Sequence, residues 1–382
     1  VRARDLGITI GTGRPGPRNA ITDVAGVRVG MCTLVRGDGP LRPGEGPVRT
    51  GVTMVLPHAD GIWDTPVFAG SHRLNGNGEV TGLEWVRESG TLSSPIGLTN
   101  SHSVGVVRDA IAAIQARERP RGQLFWAIPV VGETWDGVLN DVNGFHLGAS
   151  DAWDAYAAAD DGPVAEGNVG GGTGMTCHGF KGGTGTSSRR VDEESGGWTV
   201  GVLVQANHGR RGRLTVNGAP VGREIDADVV PLPAPPELRP GGVPAEGGGS
   251  VIVVVATDAP LLPHQCDRLA QRAMLGIART GGTGEHSSGD FAVAFATGNR
   301  LRASDYGAVL PLTQPVTMLS DAHIDPLFDA AVEATEEAVV NALVAARTMT
   351  GRDGVVAHGL PHDRLVKALD GYGLRTAERA RS

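Results

Sequence analysis

Lysine is nearly missing from this chain: of 34 basic residues only Lys181 and Lys367 are lysines. Mechanisms built on a Schiff-base or phosphate-loop lysine therefore have very few residues to draw on. Cysteine is scarce as well. Cys32, Cys177 and Cys266 are odd in number, far apart and without CxxC spacing, which argues against a disulfide framework or a zinc site and for reduced thiols. His72, His102, His178, His208 and His286 form no HxxxH or HExxH pattern, so a zinc hydrolase is not expected. The formal net charge of −8 disfavours nucleic acid or an anionic membrane as the main partner. No apolar run reaches membrane-spanning length, and Val1-Arg2-Ala3-Arg4-Asp5-Leu6-Gly7 holds no signal-peptide core. A cytoplasmic protein is the expectation.

Glycine, by contrast, is abundant: 58 residues, where average usage near 7% gives about 27. The glycines are scattered among periodic segments and read as tight turns and close backbone contacts. Short apolar or alternating runs predict strands over Gly51–Leu56, Leu124–Val131, Gly201–Ala206, Val251–Ala256 and Phe291–Thr297, each bounded by Gly, Pro or polar residues. Helices are predicted over Ser103–Arg117, Ser150–Ala159, Pro263–Thr280, Asp325–Met349 and Pro361–Leu369. Pro326 suits the first turn of the fourth, and its stripe of Leu327, Ala331, Ala334, Ala338 and Leu343 marks one buried face. In the third, Cys266, Leu269, Ala270, Ala273 and Ile277 share a face, which makes Cys266 a core residue. Residues 219–249 lose all period, are rich in proline and read as an exposed linker. Regular structure on both sides of it predicts one intertwined domain over 1–382, an α/β protein with sheets in the middle and helices outside.

Gly247-Gly248-Gly249-Ser250 runs straight into the strand Val251–Ala256. A serine at the first position of a buried strand, behind three glycines, is poorly placed for structure and well placed for self-cleavage. Its hydroxyl would attack the Gly249 carbonyl, and the product would begin with Ser250. That residue would carry a hydroxyl and an α-amine of intrinsic pKa about 8, the arrangement of an N-terminal nucleophile. The opposing reading is a Gly-rich loop that ends in serine.

Other residues surround that idea. Ser288 and Asp290 stand two apart at the head of a strand and project to one side, in reach of a common target, although Ser-x-Asp before a strand is more often a capped turn. Asn207 ends a strand and Asn217 precedes Gly218; amide N–H groups serve as oxyanion donors, while Asn-Gly is also a hairpin turn pair. Glu133, at the end of an apolar strand beside Trp135, is placed to grip a cationic amine or to pair with one of the many arginines. The tetrapeptide Gly-Gly-Thr-Gly occurs at 171–174, 182–185 and 281–284. The first lies in Gly167–Gly174, which is similar to the phosphate loop of tubulin-like GTPases.

Asn19–Gly30, Gly132–Gly137, Gly167–Arg189, Val204–Asn207 and Gly249-Ser250 with its strand carry a resemblance that spans nearly all of the chain. The sequence resembles the self-cleaving aminopeptidases typified by L-aminopeptidase/D-Ala-esterase/amidase and the β-aminopeptidases, peptidase family S58. The resemblance implies an αββα sandwich and a cut at Gly249-Ser250 that gives chains 1–249 and 250–382. It also implies a homo-oligomer, commonly a tetramer, no cofactor or metal, and small peptides, amino-acid amides or esters as substrates. By the same resemblance Ser250 is the nucleophile, with Ser288 and Asp290 as its support. Asn207 looks like the oxyanion donor with Asn217 in reserve, and Glu133, with Trp135, meets the substrate. Position 290 is often glutamate in that family, so Asp290 is one methylene short and its reach to Ser250 needs water or a closer approach. The alternatives are a nylon-oligomer-type amidase or acyltransferase, whose nucleophile is threonine; a nucleotide-binding assembly protein built on the Gly167–Gly174 loop; and a self-cleaved scaffold without activity.

Overall fold

The computed structural model describes residues 1–235, 249–303 and 310–375. Four strands, β1 (Arg28–Arg36), β2 (Val48–Leu56), β5 (Ile96–Asn100) and β6 (Val130–Thr134), form one sheet in the order 1-2-5-6. A second sheet of six runs β4 (Thr91–Leu92), β3 (Val67–Gly76), β12 (Ser288–Arg300), β11 (Gly249–Thr257), β10 (Thr199–Asn207), β9 (Gly183–Arg190). Two small hairpins, β7 (Thr176–Cys177) with β8 (Phe180–Lys181) and β13 (Met349–Thr350) with β14 (Val356–Ala357), complete the strands. Helices α2 (Val104–Arg117) and α3 (Ala149–Ala157) cover the outside of the first sheet, and α5 (Pro263–Arg279) and α6 (Asp325–Ala345) cover the second. Shorter helices α1 (Leu83–Ser89), α4 (Val221–Glu224) and α7 (His362–Gly371) lie at the periphery. The stack is a four-layer αββα sandwich.

Strand β11 shows why the stack forms. Every residue from Gly249 to Thr257 is buried. Val251, Val253 and Val255 pack toward α5 and α6 with Leu269, Ala273, Ala334 and Ala338, while Ile252, Val254 and Ala256 pack toward the other sheet with Val55, Leu98 and Leu203. A strand covered on both faces has no polar side to show, so its sequence is an unbroken apolar run. The third core layer joins Val52, Met54 and Val131 to Val107, Ile111, Ala152 and Ala155 beneath α2 and α3.

Strands β11 and β12 are parallel neighbours joined through α5, and β10 runs antiparallel to β11. The sheet therefore takes adjacent strands from both sides of Gly249. The helices at Pro263 and Asp325 form as the stripes require, with Cys266, Leu269, Ala270, Ala273 and Ile277 all buried.

Three expectations are corrected. The strand read at Leu124–Val131 is β6, Val130–Thr134; residues 124–129 run along the surface with Leu124, Trp126 and Ile128 exposed. The fourth helix stops at Ala345 rather than Met349, because Ala346 turns to an extended conformation and the chain enters β13. The start of the segment read as an exposed linker is folded: Ala219, Val221, Ile225 and Val230 sit in the main core. Its remainder, 236–248, lies outside the described residues.

Candidate active site

Chain ends from both sheets converge at one edge of the sandwich. The parallel register pairs Gly249 with Ser288 and Ser250 with Gly289, so the heads of β11 and β12 coincide. The antiparallel register opposes Asn207, the last residue of β10, to Ser250. From the facing sheet, the ends of the parallel strands β5 and β6 bring Ser101 and Glu133 to the same place. Between them lies a cavity of about 470 Å3 lined by Gly78, Glu79, Ser101, Glu133, Trp135 and Ser250, among others.

Ser250 is 4% exposed, and its Oγ accepts a hydrogen bond from the Gly289 N–H at 3.1 Å. The parallel register sets Gly289 opposite Ser250, and position 289 admits only glycine because a Cβ there would lie 2.5 Å from the Asn77 carbonyl oxygen. A Cβ on Gly249 would lie 1.9 Å from the carbonyl oxygen of Asn207, so only glycine fits before the serine. The β12–β3 ladder is irregular between Asp290 and Phe291, the kind of local kink that re-aims side chains beside a site.

Ser288 and Asp290 do share one side of the strand, and the Ser288 hydroxyl donates to Asp290 Oδ1 at 2.6 Å. Burial pushes the Asp290 carboxyl up to about 6, opposed by the Ser288 hydrogen bond and reinforced by the charge of Glu285. Asp290 makes no direct hydrogen bond to Ser250; the donor at Ser250 is the intervening Gly289 amide.

Asn207 is buried and held at both ends of its amide. Its Oδ1 accepts from the Thr176 N–H at 2.8 Å, and its Nδ2 donates to the Trp135 carbonyl at 2.9 Å. An amide nitrogen has two hydrogens, so one remains to serve an oxyanion while the first fixes the orientation. Asn217 does not join this group. It has φ 51° and precedes Gly218 at φ 86° in the turn between Val216 and Ala219, and its Nδ2 donates to the Leu374 carbonyl. The hairpin-turn reading of that residue is the correct one.

Glu133 has no arginine partner among the described residues, which removes the structural alternative weighed for it. Its Oε2 accepts from Ser101 Oγ at 2.5 Å and its Oε1 from the Glu79 N–H at 3.0 Å. Burial raises its pKa, and these hydrogen bonds partly offset the rise. A buried carboxylate with neutral hydrogen-bond donors and an open cavity in front of it has the chemistry to accept a cation. Trp135 lies beside it, partly exposed and lining the same cavity.

A family model described as peptidase family S58 matches residues 19–357. The chain belongs to peptidase family S58. Beta-peptidyl aminopeptidase BapA of Sphingosinicella microcystinivorans is 50% identical over 374 residues, covering 97% of this chain and 92% of that protein. The solved structure of a Burkholderia sp. beta-aminopeptidase is 53% identical with a TM-score of 0.90, covering 98% of this chain and 100% of that one. The structure of L-aminopeptidase D-Ala-esterase/amidase from Ochrobactrum anthropi, described as a new variant among the Ntn hydrolase fold, is 43% identical with a TM-score of 0.87, covering 98% and 99%. This S58 protein is an aminopeptidase, a hydrolase of peptide-type substrates. No helix among its described residues is long and apolar enough to cross a membrane.

The phosphate-loop reading of Gly167–Gly174 fails on geometry. Residues 170–175 are buried, and a Cβ on Gly171 would lie 2.0 Å from Gln205 Oε1, so the glycines admit neighbouring protein atoms rather than a nucleotide. Sequence reasoning also missed supporting residues. Ser101, Glu79 and Asn77 carried no motif. Thr176 and Lys181 belong to the β7–β8 hairpin; Lys181 is fully buried and donates to the carbonyls of Met175 at 2.7 Å and Gly182 at 2.8 Å, bracing the loop that holds Asn207. Burial pushes its pKa down to about 7. Cys177, His178 and His208 also come together beside Asn207, although His208 lies 31 residues after Cys177.

Proposed function

We propose that this S58 aminopeptidase matures by cutting itself between Gly249 and Ser250 and then uses Ser250 as an N-terminal nucleophile. In maturation the Ser250 Oγ attacks the Gly249 carbonyl carbon, the amide nitrogen leaves as the amine, and water hydrolyses the resulting ester. Gly249 becomes a carboxylate and Ser250 gains a free α-amine. The pieces 1–249 and 250–382 stay together because β11 and β12 are bordered by β10 and β3 in one sheet.

In turnover the amine takes the Ser250 hydroxyl proton as Oγ attacks the carbonyl after the substrate's first residue. The Asn207 amide receives the oxyanion, a donor of the kind worth about 3–4 kcal/mol. The protonated amine returns its proton to the leaving amine, and water releases the acyl group. Ser288 and Asp290 hold the head of β12, and the Gly289 amide fixes the hydroxyl. Glu133 binds the substrate's N-terminal ammonium, which places the cut one residue from the end. The substrates are short peptides, amino-acid amides and esters. The names of the relatives favour β-amino-acid N-termini, and the chain works in the cytoplasm as a homo-oligomer.

The observation that carries this reading is Ser250 between Asn207 and Gly289, facing a cavity whose far wall is Glu133. Intact mass under denaturing conditions tests it. Wild type should give two species meeting at 249/250; Ser250→Ala should stay a single chain of 39.4 kDa and be inactive on every aminoacyl amide. A cleaved, active Ser250→Ala protein refutes it.

A further inference from the structure

Directly behind Asn207 the chain gathers a second set of reactive side chains that the mechanism does not use. Cys177 ends β7, His178 follows it, and His208 follows Asn207 at the end of β10. All three are buried, and one donor atom from each lies within 4.8 Å of the others. The His178 and His208 rings are 5.2 Å apart at 69°, and Cys177 Sγ is 3.9 Å from His208 Nδ1.

The hydrogen bonds decide which nitrogen of His178 is available. Its Nδ1 is 3.1 Å from the Arg210 carbonyl, an acceptor only, so Nδ1 carries the proton. Nε2 then presents a lone pair, and it has no hydrogen-bond partner among the described residues; the same is true of His208 Nε2. Buried imidazoles normally satisfy both nitrogens. A ring that donates one N–H to a backbone carbonyl and leaves its other nitrogen unpartnered, within a cluster that holds a thiol and a second imidazole, has the orientation of a metal-binding histidine.

We propose that Cys177, His178 and His208 bind one soft d10 cation, Cu+ in preference to Zn2+, and so tie the β7–β8 hairpin to the end of β10. Metal–ligand bonds of about 2.0–2.3 Å require the three donors, now within 4.8 Å of one another, to close by roughly an ångström. Binding displaces the Cys177 thiol proton to solvent; the copper is taken up as Cu+ and no electron moves. Charge selects the ion. Thiolate and Cu+ sum to zero, whereas thiolate and Zn2+ leave a positive charge buried near Lys181 and beside Arg211, whose Nε donates to the His178 carbonyl at 2.9 Å. Burying an unpaired charge is costly; among the described residues no carboxylate belongs to the cluster, and Glu285, whose charge reaches His178, is paired with Arg210 and Arg213. Softness points the same way, since a thiolate with two imidazoles suits Cu+. Thr176, beside Cys177, holds the Asn207 amide, so a bound cation would lock that support.

The full-length protein is titrated anaerobically with Cu+ against a coloured Cu+ chelator. Wild type should take up one equivalent per chain with a rise in thermal midpoint, and folded Cys177→Ala and His178→Gln should each lose both responses. Copper-edge X-ray absorption on wild type alone, which needs no variant, should report one sulfur and two nitrogen neighbours. The proposal is overturned if wild type takes up no stoichiometric Cu+, if uptake survives in both variants, if no sulfur neighbour is found, or if an equal concentration of Zn2+ displaces the copper.

Discussion

Replacing Glu133 by glutamine removes one charge and almost no volume. Glu133 is 6% exposed and its two oxygens are met only by Ser101 Oγ and the Glu79 N–H. Among the described residues no ion pair neutralises it, and His102 acts on it only through its charge, so the proposed role leaves the carboxylate available to the substrate ammonium. Leaving such a buried partner uncompensated typically costs about 3–5 kcal/mol, and each 1.36 kcal/mol is tenfold in rate. Partial solvation through the cavity mouth lowers the expectation to a loss of about 10²–10³ in kcat/KM for a free N-terminal amide. The assay compares such a substrate with its N-acetylated form in wild type and Glu133→Gln. Wild type should strongly prefer the free amine; the variant should lose that preference while still maturing into two chains, because the maturation step involves no substrate amine. The raised pKa of Glu133 adds a signature. Affinity in wild type should weaken as pH falls through that pKa, since the neutral acid cannot pair with an ammonium, and the variant should lack this acid limb. A variant within threefold of wild type on the free-amine substrate refutes the assignment.

Other outcomes follow from the same geometry. Gly249→Ala sets a Cβ 1.9 Å from the Asn207 carbonyl oxygen; overpacking of this kind costs about 1–3 kcal/mol, so maturation followed by mass spectrometry should slow about tenfold or more. The Asp290 carboxyl is raised to about 6 in the fold, above its unfolded value. Its stabilising share is thus complete at low pH and is lost as pH rises through about 6. Denaturant titrations should show wild type losing up to about 3 kcal/mol between pH 4 and 6 relative to Asp290→Asn, and equal pH slopes would refute this. Glu337 is fully buried between Arg4 at 2.8 Å and Arg189 at 2.7 Å; Glu337→Gln should cost about 3–5 kcal/mol in chemical denaturation.

Residues whose surroundings are apolar were readable in the sequence. The run Val251–Ala256 and the stripes at Pro263 and Asp325 follow directly from which faces are covered. Strand β9 was invisible for the opposite reason: Gly183–Arg190 has no hydrophobic residue, yet all of it but Arg190 is buried because α6 comes so close that a Cβ on Gly185 would lie 2.0 Å from the Ala338 carbonyl oxygen. Small residues at such a crossing leave no periodic signal. At the candidate site, Ser250, Ser288, Asp290, Asn207 and Glu133 could be named from sequence because each lies at or within two residues of a strand's end. Ser101, Glu79 and Thr176 were not, since their contribution depends on which ends meet across two sheets. Asn217 was mistaken because an oxyanion donor and a type I′ turn residue have the same one-residue signature.

The position of Ser250 within two ladders has a further consequence. A new chain end normally frays, since nothing holds its first residues. In the proposed mature enzyme the first residue is paired on one side with Asn207 and on the other with Gly289, in the interior of a six-stranded sheet. Its amine and hydroxyl would therefore inherit the rigidity of the fold itself. An end created by cleavage would be as well located as any residue in the core, and the catalyst would need no ordering step when substrate arrives.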